Sequence, residues 1–166
     1  MKKSKRVVAL MLVLVTLISI LTVTASASNY GNTNFYNFTL REDQRFLNTR
    51  EKQDDTPCYV RVNNALINQV IHINAFGYLV DDKEATTLRG HCTRDGYGQY
   101  QEFVSILPYQ DYRIRNMINE FGYPYASLGF SSPSDGAFQG EVGNEVSGVW
   151  SPDSLGNYQY AYKNIV

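Results

Sequence analysis

A chain of 166 residues, 43% of them hydrophobic, suffices for one domain with a real core and is short for two. Fifteen Lys and Arg against sixteen Asp and Glu give a formal charge of −1, so no basic field is present to attract nucleic acid or an anionic membrane surface. Two histidines and two cysteines are thin material for a metal centre, and no H-E-x-x-H, G-x-S-x-G or phosphate-cradling glycine loop occurs, so neither a metal nor another cofactor is expected.

The first element is an export signal. Lys2, Lys3, Lys5 and Arg6 precede an uncharged run of 18 residues from Val7 to Thr24, and Ala25-Ser26-Ala27 follows with small residues at the positions a signal peptidase reads. The alternative is an uncleaved anchor, because such a run reaches the length that spans a bilayer. Thr and Ser scattered through it, and the small-residue site at its end, favour cleavage after Ala27. The protein is therefore expected to be secreted or held at the cell surface, touching a membrane only through residues 1–27 if these stay attached. The long core and dense basic head suggest a Gram-positive bacterium. Cleavage removes four basic residues and no acid, which moves the formal charge to −5.

Residues 28–34 are polar and turn-forming, a flexible leader to a β domain over 35–150, and residues 151–166 form a closing turn and tail. From Phe35 the chain alternates, with Tyr36, Phe38 and Leu40 on one side, which predicts a strand. Arg41 to Asp55 carries nine charges and reads as an exposed connection pinned by Phe46 and Leu47. Thr56-Pro57 opens a strand with Cys58, Val60 and Val62 inward and Tyr59, Arg61 and Asn63 outward, and Asn63-Asn64 breaks it. Gln69 to Val80 is too continuously apolar for clean alternation, with Gly77 marking a bulge.

Asp95-Gly96-Tyr97-Gly98 is the strongest hairpin-type turn, and Tyr100 to Leu107 follows as a strand. Over residues 111–121, Ile114, Met117, Ile118 and Phe121 fall at helical spacing behind Asp111 and ahead of Gly122, predicting a short helix with a twisted strand as the alternative. Pro124 to Phe130 and Glu145 to Trp150 resume β character around a Ser131–Gly136 loop, and Ser151-Pro152-Asp153-Ser154 turns into the tail. The whole is mainly β: an antiparallel β-sandwich or half-open barrel with one short helix near 111–121.

Cys58 and Cys92, the only cysteines, are most simply a disulfide in an exported protein. It would close a loop of roughly 35 residues, which is about 3–4 kcal/mol in the chain-entropy model. A reactive thiol at Cys92 beside His91, or a metal ligand pair, are the alternatives. No catalytic residue stands out. His72 sits in an apolar strand as a structural histidine, and the carboxylates that glycoside hydrolysis would need lie in charged loops. Tyr158, Tyr160 and Tyr162 alternate along the tail, and with Trp150 they are the candidate binding surface.

Tyr36-Asn37-Phe38-Thr39-Leu40, Gly122-Tyr123 with Tyr125-Ala126-Ser127-Leu128, and the ending Ser147-Gly148-Val149-Trp150-Ser151-Pro152-Asp153-Ser154 resemble a family of uncharacterised small secreted proteins of Gram-positive bacteria. Its members carry a signal peptide, an F-x-F-like first strand and a G-x-W ending, and some are similar to lactococcin-972-type bacteriocins. The resemblance implies a secreted β-sandwich and no catalytic residue. This chain departs from the bacteriocins in being longer, acidic and cysteine-containing. The expected function is a non-enzymatic extracellular or cell-wall binding or structural module with an unknown partner in that compartment. The alternatives are a bacteriocin-like secreted antagonist and an unclassified extracellular hydrolase.

Overall fold

The computed structural model describes residues 29–39, 45–65, 70–81, 89–132 and 145–164. The export signal and most of the Ser131–Gly136 loop lie outside the described residues. Those described are all β, in two sheets. The first runs β1 (Thr33–Thr39), β11 (Glu145–Ser151), β4 (Cys58–Ala65), β9 (Asp111–Asn116) and β12 (Gln159–Tyr160), with β7 (Thr93–Arg94) also on β9. The second runs β2 (Arg45–Phe46), β10 (Tyr125–Ser131), β5 (Ile71–Tyr78) and β6 (Arg89–His91), with β3 (Arg50–Glu51) on β10 and β8 (Val104–Ile106) on β5. Every pairing is antiparallel except β12 on β9, which is parallel.

The sheets face each other across one apolar core, as a sandwich must. Period-two alternation puts Cys58, Val60 and Val62 of β4, Ile114 of β9, and Val146 and Trp150 of β11 inward from the first sheet. Ile71, Ile73 and Ala75 of β5 meet them from the second, with Ala126, Leu128 and Phe130 of β10. Phe35 and Phe130 touch across the gap, ring centroids 5.4 Å apart. The unbroken apolar run of β5 has its cause here. Its second face is covered too, where Phe46 packs edge-on against Phe76 at 5.3 Å and Arg89 caps both rings.

Gly148 sits where the register between β11 and β4 shifts, and a Cβ there would strike the Arg61 carbonyl and come within 2.8 Å of the Phe35 ring. Gly148→Ala is therefore expected to destabilise the fold by about 1–3 kcal/mol, seen as a lower urea midpoint at unchanged slope.

Several local expectations are corrected. Residues 111–116 form β9, not a helix. Its inward residues are Tyr112, Ile114 and Asn116, and the polar Asn116 hides the period of two. Asn116 is accommodated by donating to the Ile114 carbonyl and accepting from the Ile118 amide. Only one turn follows, closed by Tyr123 N–H to the Ile118 carbonyl and by Gly122 at φ 77°. Asn63-Asn64 does not break β4, which continues to Ala65. Gly77 marks no bulge, because β5 and β10 stay in register from His72 to Tyr78. It pairs with Gly90, and the Tyr123 ring lies over both glycines. In β1 a register shift between Phe35 and Phe38 buries Phe35 and leaves Tyr36 71% exposed, the reverse of the simple alternation.

Candidate functional site

The expected binding residues separate. Trp150 is 2% exposed, with the Arg50 guanidinium stacked over its ring at 5.6 Å, so it belongs to the core and not to a binding surface. The tail tyrosines stay at the surface, but they dock on their own domain instead of reaching out. β12 pairs with β9, Tyr160 opposite Arg113, and Tyr162 bridges to Ser105.

This docking builds an aromatic–arginine face on the outside of the first sheet. Tyr59 is opposite Arg113 on β4–β9, and Arg113 is opposite Tyr160 on β9–β12, so the three form one cross-strand row. The Arg113 and Arg115 guanidiniums lie over the Tyr160 ring at 4.2 and 4.6 Å. Tyr158 packs on Tyr59 at 4.9 Å, and Tyr97 on Tyr162 at 5.1 Å. Asp111 is occupied within the face: the Tyr59 hydroxyl donates to it at 2.6 Å and Arg61 pairs with it at 3.2 Å. Arg113 and Arg115 make no ion pair among the described residues. A cleft of about 320 Å³ opens beside Tyr160, lined by Arg94 and Arg115 with Asp55 and Glu120. Its turn wall is the predicted one, with the Asp95 carboxylate accepting from the Tyr97 and Gln99 amides and Gly98 at φ 84°.

The expected disulfide is not formed: Cys58 and Cys92 are free thiols, both buried in the core. Each sulfur has its own partner, Cys58 accepting from Asn116 Nδ2 at 3.5 Å and Cys92 donating to the Gly90 carbonyl at 3.3 Å. His91 Nε2 lies 2.7 Å from the Glu102 carbonyl and 3.2 Å from Asn74 Nδ2, and its ring packs on Phe76 and Tyr100. His72 stacks on Phe103 at 3.8 Å. Among the described residues no group of three or more His, Cys, Asp or Glu could hold a metal ion.

Burial pushes the Cys58 thiol from its ordinary 9.0 up to about 12 and the Cys92 thiol up to about 11. The Tyr59 phenol also rises, through burial first and its hydrogen bond to Asp111 second. All three hold their protons more tightly folded than unfolded. Their contribution is thus complete below about pH 9 and is lost as pH climbs through the folded values. The expected result is a urea midpoint that is flat up to about pH 9 and then falls, by on the order of 2–4 kcal/mol of stability near pH 11. Cys58→Ala should flatten that alkaline limb.

Sequence reasoning missed one buried polar cluster. Lys52, placed in an exposed connection, is 3% exposed. Its Nζ donates to Asp153 Oδ1 at 2.7 Å and to the Thr56 carbonyl at 2.6 Å. Asp153 Oδ2 accepts from the Asn29 and Gln53 amides at 2.9 and 3.2 Å. The segment read as a flexible leader is tied down here, with the Tyr30 hydroxyl on Asp54 and the Gly31 carbonyl on Arg50. The Ser-Pro-Asp-Ser turn was the available signal, since it puts an acid just beyond a core strand.

A family model described as "Protein of unknown function (DUF2712)" matches residues 21–154. The chain belongs to this family. No curated protein and no solved structure matches it. The DUF2712 match contains the sandwich apart from β12, the Gly148–Trp150 ending and the Lys52–Asp153 pair, and it ends before the three tail tyrosines.

Proposed function

We propose that the protein is an exported, non-enzymatic binding and structural module that acts outside the cell or on its wall. The observation that carries this reading is the aromatic–arginine face, where Tyr158 and Tyr160, backed by the buried Tyr59, interleave with Arg113 and Arg115 beside an open cleft. Rigid tyrosines give contact area at low entropic cost, and planar guanidiniums pair with carboxylates or phosphates, both plentiful in wall polymers. The groups with chemical potential lend support from the other side: both thiols are buried and held protonated, and the His91 ring is engaged by its neighbours.

The test is co-sedimentation of the purified protein with isolated cell walls, with hydrolase substrates and growth inhibition of related strains assayed in parallel. Wild-type protein should pellet with walls. A Tyr160→Ala, Arg113→Gln double variant should lose at least tenfold in affinity while keeping its β-sheet spectrum, a change of about 1.4 kcal/mol. Turnover of a substrate that survives rigorous purification would overturn the reading in favour of a hydrolase. Growth inhibition without wall binding would replace it with a secreted antagonist.

A further inference from the structure

We propose that Lys52 and Asp153 become joined by an intramolecular isopeptide bond. The reacting atoms are already in place: Lys52 Nζ lies 2.7 Å from Asp153 Oδ1, and both side chains are wholly excluded from solvent. Proton transfer along this 2.7 Å contact converts the pair into the neutral amine and acid that condensation requires. Amines and carboxylic acids do not condense readily in water, but here both partners are held at contact distance and bulk water is excluded.

The surroundings supply what the step needs. The amine lone pair attacks Asp153 Cγ, and charge develops on the retained oxygen. That oxygen, Oδ2, already accepts the Asn29 and Gln53 backbone amides, at 2.9 and 3.2 Å, an arrangement suited to an oxyanion. The Cγ–Oδ1 bond then breaks, and the departing oxygen leaves as water with two of the three protons of the original ammonium. The third stays on the amide nitrogen, so no oxidant, reductant or co-reactant is consumed. A second carboxyl group is at hand to carry protons from nitrogen to the leaving oxygen: Asp54 Oδ1 is 3.9 Å from Lys52 Nζ. Asp54 is itself held by the Thr56 amide at 2.9 Å and the Tyr30 hydroxyl at 2.9 Å.

The link would join positions 101 apart in sequence and enclose β4 through β11. Tension between a point before Lys52 and one after Asp153 would then pass through the amide and not through the sandwich. The sandwich would be closed covalently where its two cysteines leave it open.

The experiment is the intact mass of the full-length wild-type protein under reducing conditions, followed by a peptide map. The expected result is a chain lighter by one water, with a branched peptide joining the Lys52 and Asp153 segments and no tryptic cleavage after Lys52. Asp54→Asn should fold with the same β-sheet spectrum yet keep the full mass. Wild-type protein at full mass overturns the proposal. So does a water loss that maps to a succinimide at Asp95-Gly96 or Asp135-Gly136 while Lys52 remains open to acetylation in the denatured chain. Asp54→Asn at the lighter mass overturns the proton-carrying role of Asp54.

Discussion

In the Asp54→Asn background, where Lys52 and Asp153 stay an unlinked ion pair, Asp153→Ala is expected to destabilise the protein by about 3–5 kcal/mol, lowering the urea midpoint by roughly 2 M. The cost arises less from the lost attraction than from what stays behind. Lys52 would keep only the Thr56 carbonyl as a buried partner, and the Asn29 and Gln53 amides would lose their common acceptor. Removing both charges with Lys52→Met and Asp153→Leu should recover part of the loss, because apolar residues of similar size often replace a buried pair at little cost. Recovery should be incomplete, since the two amides and the Thr56 carbonyl remain unpaired. Equilibrium urea unfolding of the two variants beside their unlinked parent checks the order. If the double variant is no better than Asp153→Ala, the buried charge is not the source of the penalty.

Trp150→Ala should cost a similar amount, about 3–5 kcal/mol, for a different reason. Trp150 lies on β11, between β1 and β4, is fully enclosed, and supports the Arg50 guanidinium above its ring. Its loss empties the largest side-chain volume in the core. It also loosens Arg50, which donates to the Gly31 and Trp150 carbonyls and to Asn29. Trp150→Phe should cost about half as much, because a smaller ring refills part of the space. Trp150 is the sole tryptophan, so wild-type fluorescence reads the same site: emission should be that of a buried indole and should shift to the red in one step on unfolding. An exposed-type emission from native protein would contradict the core position.

The two predictions recast the ending that gave the chain its resemblance. Gly148 permits close approach of β4, Trp150 fills the core, and the Ser151 hydroxyl lies within hydrogen-bond reach of the Asn29 and Asp153 carbonyls while Asp153 receives Lys52. These four residues of that stretch have architectural tasks. The face proposed to meet a partner is built elsewhere, on β4, β9 and the tail.

What the sequence determined by itself was whatever depends on neighbours along the chain. The inward set Cys58, Val60 and Val62, the β11 strand from Glu145, the Asp95–Gly98 turn and the two-layer β architecture were all legible, because side-chain alternation and turn chemistry act over a few residues. The alternation of Tyr158, Tyr160 and Tyr162 was legible too, but not where the tail would pair. What only the tertiary structure decided was every feature joining distant segments. Residues 111–116 carry a spacing that a helix or a strand could use, and the strand forms because β4 on one edge and β12 on the other satisfy its backbone. Lys52 sits among charges and reads as solvated, yet it is buried because its acceptor arrives from 101 positions away. Hydrophobic period and turn residues report local free-energy preferences. The burial of a charge is set by whether a partner can be brought to it, and the linear order of the residues does not carry that distance.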